Sequence, residues 1–220
     1  MGYRALATDY DGTLATAGHV DAPTLAALAR LRASGRAVLL VTGRQIADLL
    51  SVFRYPEAFD LIVAENGAVL YDPKTGRETL LAEPLPARFQ DAVRHVRPLS
   101  LGRVVVATLE SEAPKVLDAI HAAGLELQMI FNKGSLMVLP PSVNKATGLA
   151  AALKILAISP EQVVGVGDAE NDHAFLRHCG LGVAVANALP SLKEQAGMVT
   201  QADHGAGVVE VIEKLLEEDR

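Results

Sequence analysis

Two hydrophobic patterns alternate along most of the chain, and together they predict its fold. Short continuous apolar runs such as Ala37–Val41 are typical of strands that are buried on both faces. Between Asp21, a residue type that caps helices, and Gly35, leucines recur at helical spacing, which predicts a crossover helix. Alternating strands and helices indicate an α/β core with a mostly parallel sheet. The predicted strands are Ala5–Thr8, Ala37–Val41, Leu61–Val63, Val163–Val166 and Gly182–Val185, and the further helices are Gln45–Phe53, Lys145–Leu156 and Asn171–Cys179. Three more segments, to which no element type is assigned, finish the chain: Leu189–Gln195, Met198–Thr200 and Gly207–Leu216.

This alternation is interrupted in the middle of the chain. The segment Asp72–Gly76 is rich in turn residues and predicts a hairpin that joins Ala68–Tyr71 to Thr79–Leu81. A helix, a strand, a helix and a second hairpin follow. They are predicted at Ala87–Val96, at Arg103–Leu109, at Pro114–Ala123 and at Leu125–Phe131 with Leu136–Leu139.

Prolines mark both edges of the irregular segment and indicate stiff connections there. They are Pro84 and Pro86 on one side and Pro140 and Pro141 on the other. We predict that residues 1–83 and 141–220 form one α/β domain, called the core domain below. Residues 84–140 are predicted to form a small α+β domain inserted into it, called the insert.

The composition is that of a folded soluble protein and excludes several functional classes. Of the 220 residues, 50% are hydrophobic and 21% are charged, and no apolar segment has the length of a signal peptide or a membrane span, so we expect a cytoplasmic protein. The single cysteine, Cys179, excludes an internal disulfide and a multi-cysteine metal site. A formal charge of −6, no Trp and 4% aromatic residues argue against a nucleic-acid or membrane partner.

Two aspartates stand at the end of the first predicted strand, in the segment Asp9-Tyr10-Asp11-Gly12-Thr13-Leu14. Residues two apart on a strand face the same side, so both carboxylates are expected to reach the crevice beyond the strand ends. Two carboxylates this close repel each other unless a cation neutralises them, and Mg²⁺ is a hard cation that prefers oxygen ligands. Taken alone, the segment is equally compatible with a solvated turn rich in aspartate.

Polar residues also follow two other predicted strands. Thr42, Gly43 and Arg44 come directly after the second strand, and Asp168 and Asp172 come after the strand that resumes the core domain. Taken singly, a hydroxyl bonded to backbone or a carboxylate in a first helical turn is an ordinary structural feature. Because parallel strands end at one edge of a sheet, their joint occurrence predicts a single polar site.

A lysine is expected to join this site from the helix that follows the insert. Lys145 begins that helix, and either Ser142 or Asn144 is expected to cap it. An exposed surface lysine is the ordinary alternative. In a chain of net charge −6, Lys145 and a metal would supply the local positive charge that an anionic ligand needs.

These motifs resemble those of the haloacid dehalogenase-like phosphatase superfamily, in its type IIB (Cof-like) branch. The four motifs are DYDGTL at Asp9–Leu14, VTGR at Val41–Arg44, NKATGL at Asn144–Leu149 and GDAENDHAFL at Gly167–Leu176; ENGA at Glu65–Ala68 and GVAVANA at Gly182–Ala188 are also similar to that branch. Their order and spacing span nearly the whole chain. The resemblance implies a Rossmann-like core with an inserted α+β cap of type C2 between the second and third motifs.

The resemblance further implies a Mg²⁺-dependent phosphatase that forms an aspartyl-phosphate. The implied catalytic residues are Asp9 as the nucleophile, Asp11 as the general acid and base, and Thr42 and Lys145, which hold the transferring phosphate. The implied metal ligands are Asp9, the backbone carbonyl of Asp11, Asp168 and Asp172, with Asn171 in contact with this shell. The implied substrate-binding residues are Thr42, Gly43 and Lys145, with Arg44 and Asn66 at the rim of the site.

The insert is expected to act as a lid that excludes water and contacts the substrate. Asn132, Lys133 and Ser135 of its hairpin are candidates to face the site, although a solvated hairpin tip is the favoured interpretation for Lys133. An insert this short is similar to the cap of archaeal-type phosphoglycolate phosphatases, whereas longer-capped relatives act on sugar phosphates. We therefore expect a small phosphorylated metabolite as the substrate, with phosphoglycolate as one candidate.

Two alternatives stay open from the residues. A phosphomutase of the same superfamily would return the phosphoryl group to the product instead of to water. A phospho-acceptor signalling module also gathers acids, a threonine and a lysine around Mg²⁺, but here Lys145 precedes the last acidic pair and the chain carries an insert. No feature of the sequence indicates an oligomeric state.

Overall fold

A computed structural model describes residues 2–217 and shows two sheets with helices packed against them. The strands are β1 (Ala5–Thr8), β2 (Ala37–Val41), β3 (Leu61–Ala64), β4 (Val69–Asp72), β5 (Arg77–Leu80), β6 (Ser100–Leu101), β7 (Val106–Leu109), β8 (Gln128–Asn132), β9 (Ser135–Leu139), β10 (Val163–Gly167), β11 (Leu181–Ala184) and β12 (Met198–Val199). The helices are α1 (Ala22–Ala33), α2 (Ile46–Val52), α3 (Ala87–Val93), α4 (Ala113–Ala122), α5 (Lys145–Leu156), α6 (His173–His178), α7 (Pro190–Gln195) and α8 (His204–Glu217).

The large sheet confirms the predicted α/β architecture with mostly parallel strands. Its eight strands lie in the order β12-β11-β10-β1-β2-β3-β4-β5, and only β4 and β5 pair antiparallel to their neighbours. The chain runs outward from β1 through β2 and β3 on one side and from β10 through β11 and β12 on the other. The order therefore reverses between β1 and β10, which is where open α/β sheets bind ligands beyond the strand ends.

Side-chain caps fix where two helices of the core domain begin. The carboxylate of Asp21 accepts a hydrogen bond from the backbone N–H of Thr24 at 2.8 Å and starts α1, as predicted. The side chain of Asn144 accepts from the N–H of Thr147 at 3.1 Å, and the Thr147 hydroxyl contacts the N–H of Asn144 in return. The cap of α5 is thus Asn144, and the alternative, Ser142, is wrong.

The insert carries its own sheet and its own apolar cluster. Strands β6, β7, β9 and β8 pair antiparallel in that order. A second cluster of buried apolar residues, separate from the larger one, is formed by Leu85, Phe89, Val93, Val96, Val106, Val116, Ala119, Ile120, Leu136 and Val138. This separate cluster supports the division into residues 1–83 with 141–220 and 84–140, which stays a prediction.

Three predicted boundaries within the insert are wrong, and each has a physical reason. Strand β8 begins at Gln128 and not at Leu125, because Gln128 already pairs with Leu139, the last residue of β9. Helix α3 ends at Val93 and not at Val96, because the chain tightens into turns in which the N–H groups of Arg94 and Val96 bond the carbonyls of Asp91 and Val93, three residues back. Strand β7 begins at Val106 and not at Arg103, since the preceding N–H groups bind a side chain of the core domain, described below. Strand β6 was not predicted; it has two residues.

Among residues 2–217, no helix is both long enough and apolar enough to span a membrane.

Candidate active site

A cavity of about 480 Å³ lies at the reversal point of the large sheet, between the core domain and the insert, and is called the cleft below. The core domain lines it with Asp9, Asp11, Gly43, Arg44, Gln45 and Asp48, and the insert lines it with Ser100, Val105, Ala107, Asn132, Lys133, Ser135 and Met137. The hairpin residues proposed to face the site, Asn132, Lys133 and Ser135, do line the cleft. Carboxylates, cations and small polar groups thus line one cavity.

Four charged residues from four segments form a buried group, called the floor below, of which Asp9 lines the cleft. Asp9 follows β1, Asp168 follows β10, Asp172 directly precedes α6, and Lys145 opens α5. The Lys145 ammonium group lies 2.5 Å from Asp9 Oδ1 and 2.6 Å from Asp172 Oδ1. Asp9 is 5% exposed and the other three are buried more completely. The structure therefore brings together four of the predicted site residues that are up to 163 positions apart, from Asp9 to Asp172.

Backbone and hydroxyl donors hold the carboxylates of the floor in place. Asp172 Oδ2 accepts from the backbone N–H groups of Asp168 at 2.9 Å and Ala169 at 3.0 Å. The Thr13 hydroxyl donates to Asp168 Oδ1 at 2.8 Å. Gly12 makes this turn possible, because its φ is +86° and a Cβ atom there would collide with the Asp168 carboxylate. The glycine of the first motif is therefore required by backbone geometry.

The floor carries more negative than positive charge. Burial raises the pKa of Asp9 well above its ordinary value; the charge of Lys145 opposes this shift, and the neighbouring aspartates reinforce it. Burial alone would lower the pKa of Lys145, but the carboxylates of Asp172 and Asp9 outweigh it and raise the pKa above its usual range. The ammonium group therefore stays charged. Asp9 and Asp172 share the Lys145 ammonium group, and Asp168 is the third buried carboxylate of the floor. Three buried carboxylates around one buried cation favour binding of a further cation.

The donor set of the floor fits a divalent metal ion. Carboxylate oxygens of Asp9, Asp168 and Asp172 all lie within 4.8 Å of one another. Oxygen ligands alone suit a hard cation such as Mg²⁺. The side chain of Asn171 adds a nearby oxygen, Oδ1, which is buried and has no hydrogen-bond partner among residues 2–217. The Asp11 carboxylate is not part of this group, so the implied contribution of Asp11 through its backbone carbonyl stays a prediction.

Asp11 occupies surroundings unlike those of Asp9, although both line the cleft. Its carboxylate is 44% exposed and forms two bonds with Arg44, at 2.6 Å to Nε and 2.8 Å to Nη2. The same guanidinium group bonds Asp48 at 2.6 Å and lies over the ring of Tyr10. Arg44 thus orients Asp11 at the cleft wall, where its carboxylate remains accessible to a ligand.

Thr42, Asn66 and Asn171, which the sequence also assigned to the site, form a buried hydrogen-bonded group next to Arg44. The Thr42 hydroxyl accepts from the N–H of Arg44 at 3.1 Å, and the Thr42 carbonyl accepts from the N–H of Asn66 at 3.0 Å. Asn171 Nδ2 donates to Asn66 Oδ1 at 3.0 Å. Asn66 is fully buried, so the predicted rim position is wrong for Asn66, whereas Gly43 and Arg44 do line the cleft.

The solvated position favoured for Lys133 is incomplete, since its side chain is 42% exposed but is also paired with an acid. Its ammonium group forms an ion pair with Asp168 of the floor, and its backbone N–H contacts Glu170 Oε2 at 3.3 Å. Lys133 adopts a φ of +46° in the turn between β8 and β9, next to Gly134. The hairpin tip is therefore turned into the cleft, against the loop that follows β10.

One structural residue of the site was missed by sequence reasoning. The carboxylate of Glu65 is 2% exposed and accepts three backbone N–H bonds from the insert, from Arg103 at 2.8 Å, Val104 at 2.8 Å and Val105 at 2.9 Å. These bonds join the core domain to the insert and replace the ladder bonds that β7 lacks at this point. Glu65 directly follows β3, so the strand-end argument that singled out Thr42 also applied to it.

Comparisons with known proteins agree on the kind of protein. The sequence matches the family described as haloacid dehalogenase-like hydrolase over residues 6–108 and 101–212. It is 30% identical over 219 residues to the phosphoglycolate phosphatase of Methanothermobacter thermautotrophicus, which covers 97% of this chain and 99% of that protein. It is 31% identical to phosphoglycolate phosphatase 2 of Saccharolobus solfataricus, over 96% of this chain and 91% of that protein.

The fold also matches a solved structure. The sugar phosphatase BT4131, of haloacid dehalogenase subclass IIB, superposes with a TM-score of 0.77, at 20% identity, over 96% of this chain and 98% of its own.

Proposed function

The chain belongs to the haloacid dehalogenase-like hydrolases and is a phosphatase of that family; we propose that it falls in their type IIB (Cof-like) branch and hydrolyses a small phosphomonoester through an aspartyl-phosphate. One observation carries this proposal. Asp9 lines the cleft, and its carboxylate is bonded to Lys145 and grouped with two further buried carboxylates. A carboxylate in this position can attack phosphorus while neighbouring positive charge offsets the negative charge of the phosphate.

In the first half of the reaction, Asp9 acts as the nucleophile and Asp11 as the general acid. A carboxylate oxygen of Asp9 forms a bond to phosphorus as the bond from phosphorus to the ester oxygen breaks. Asp11 in its protonated form gives its proton to the departing alkoxide. Asp11 suits this part by its position, because it lines the cleft and its side chain is 44% exposed.

In the second half, water opens the aspartyl-phosphate. Asp11, now a carboxylate, accepts a proton from the attacking water, and the new bond from oxygen to phosphorus releases Asp9 and inorganic phosphate. Lys145 keeps its positive charge beside Asp9 throughout and offsets the charge of the phosphate oxygens. Thr42, one residue past the end of β2, is assigned to a phosphate oxygen.

Mg²⁺ is the cofactor that the floor fits, and Asp9, Asp168 and Asp172 are the residues that would hold it. When bound, such an ion neutralises negative charge shared by the nucleophile and the phosphate. Asn171 is assigned to the surroundings of this ion, since its unpartnered Oδ1 lies in the same buried region. The family of this chain supports the choice of metal.

Phosphoglycolate and sugar phosphates are the two substrate classes that the relatives support. Two relatives that align over nearly the whole chain are named phosphoglycolate phosphatases, and a protein of the same fold is named a sugar phosphatase. A cleft of about 480 Å³ suits a small metabolite.

Release of inorganic phosphate from a panel of esters tests the proposal. We expect turnover of phosphoglycolate, glucose 6-phosphate or p-nitrophenyl phosphate with Mg²⁺, a loss of at least about 10²-fold in EDTA, and recovery when Mg²⁺ is restored in excess. No phosphate release from any ester would contradict a phosphatase. Phosphate that moves within a sugar phosphate without release would favour the phosphomutase, and activity that survives EDTA would remove the metal from the scheme.

A further inference from the structure

Lys133 is the cation that the insert brings into the cleft. Of the insert residues that line the cleft, the others are uncharged: Ser100, Val105, Ala107, Asn132, Ser135 and Met137. Hydroxyl, amide and apolar groups of this kind contact a ligand without selecting for its charge. Selection for a charged group by the insert, within the part of the chain that the structure describes, therefore depends on Lys133.

Lys133 differs from the other two cations of the site in how firmly it is engaged. Lys145 is buried between two carboxylates, and Arg44 bonds two carboxylates as well. Lys133 has one acidic partner, Asp168, and its side chain remains 42% exposed. An ammonium group with one partner and access to the cleft is the one of the three that is free to change partner.

The partner of Lys133 is itself a member of the carboxylate group that fits Mg²⁺. Asp168 already accepts a bond from Thr13 at Oδ1, and Lys133 lies at its other oxygen, Oδ2. A divalent ion held by Asp9, Asp168 and Asp172 would neutralise Asp168 and repel the nearby ammonium group. Lys133 would then remain at the cleft without its carboxylate partner, and an unpaired ammonium group in a confined space favours binding of an anion.

We propose that Lys133 binds a second anionic group of the substrate, a carboxylate, and so selects phosphorylated hydroxy acids over phosphate esters of neutral alcohols and sugars. This inference rests on the proposed phosphatase function and assigns its substrate class. The phosphate is held at the floor by Lys145, and the carboxylate at the other end of a short acid is held from the insert by Lys133. A neutral sugar would leave the ammonium group without a counter-charge.

The kinetic test compares two esters of matched size, phosphoglycolate and ethyl phosphate, in the presence of Mg²⁺. We expect Lys133→Ala to lower the ratio of their kcat/KM values by about 10- to 100-fold, mainly through the KM of phosphoglycolate, since a hydrogen bond to a charged group is lost. Lys133→Arg keeps the charge and is expected to restore most of the ratio.

The matched control removes another lysine of the insert. Lys115 lies on α4, pairs with Glu112 at 2.7 Å and does not line the cleft. Lys115→Ala should leave the ratio at its wild-type value. If Lys133→Ala leaves the ratio unchanged, or if Lys115→Ala lowers it equally, the assignment of Lys133 is overturned.

A binding measurement separates failure of this inference from failure of the proposed function. With Mg²⁺ present, calorimetry compares 3-phosphonopropionate, a stable analogue of phosphoglycolate, with propylphosphonate, which lacks the carboxylate. We expect wild type to prefer the former and Lys133→Ala to lose that preference by about 10- to 100-fold. An equal preference in both proteins overturns the inference, even in a chain that hydrolyses neither ester of the kinetic test.

Discussion

The floor and the insert side of the cleft differ in the charge and burial of their side chains. The floor consists of buried charges, two of which are held by several bonds: Lys145 by two carboxylates, and Asp172 by Lys145 and two backbone N–H groups. The insert offers uncharged side chains and one half-exposed lysine, Lys133. Groups held on several sides keep their geometry whatever ligand enters, whereas a group with one partner can exchange it. Chemistry is therefore assigned to the floor, and substrate selection to the insert.

Replacement of Asp9 tests most severely whether the floor performs the chemistry. We predict that Asp9→Asn lowers the kcat for p-nitrophenyl phosphate by about 10⁴-fold or more, because the attack on phosphorus requires a carboxylate at this position. The melting temperature, measured in parallel, shows whether the fold is retained. Turnover near the wild-type rate in a folded Asp9→Asn variant would refute the assignment.

Asp11 lies between the floor and the insert, and its effect should depend on the leaving group. We predict that Asp11→Asn slows hydrolysis of an alkyl phosphate by about 10²- to 10⁴-fold, and slows p-nitrophenyl phosphate less, because p-nitrophenolate leaves without a proton. Asp48→Asn is the matched control, since it removes the other carboxylate on Arg44 and leaves Asp11 in place. Equal losses for both esters in Asp11→Asn would count against acid catalysis.

A smaller effect is expected for Glu65, whose bonds connect the core domain to the insert. We predict that Glu65→Gln lowers the free energy of unfolding by about 1–3 kcal/mol, because an amide cannot accept all three N–H bonds that the buried carboxylate accepts. Glu78→Gln is the control, since Glu78 also contacts Arg103 of the insert but through a more exposed ion pair, whose loss should cost less than about 1 kcal/mol. Both values come from urea unfolding, and equal losses in the two variants would contradict a special role for Glu65.

The floor could be predicted from the sequence because topology alone places it. Asp9 follows β1 and Asp168 follows β10, and these strands are neighbours in the sheet. Once alternating strands and helices indicate a parallel sheet, the residues that follow its strands must meet at one edge. Asn144 caps α5 through a local motif, so the position of Lys145 also follows from neighbouring residues.

The insert side of the cleft could not be predicted in the same way. The contact of Lys133 with Asp168 depends on how the hairpin tip packs against a loop 35 residues further along the chain, which no local pattern encodes. The start of β7 depends likewise on the carboxylate of Glu65, 38 residues before Arg103. Asn66 was expected at the rim from its motif, but its bond to Asn171 joins it to a buried pair. Each difference arises from a contact between the core domain and the insert or between distant loops.

The most direct test of the central claim is a crystal structure with Mg²⁺ and beryllium fluoride, which mimics a phosphoryl group attached to a carboxylate. We predict beryllium bonded to a carboxylate oxygen of Asp9, with one Mg²⁺ bound to both Asp9 and Asp168. Beryllium on a different side chain, or a metal ion that does not join these two aspartates, would contradict the assignment of Asp9 as the phosphoryl acceptor.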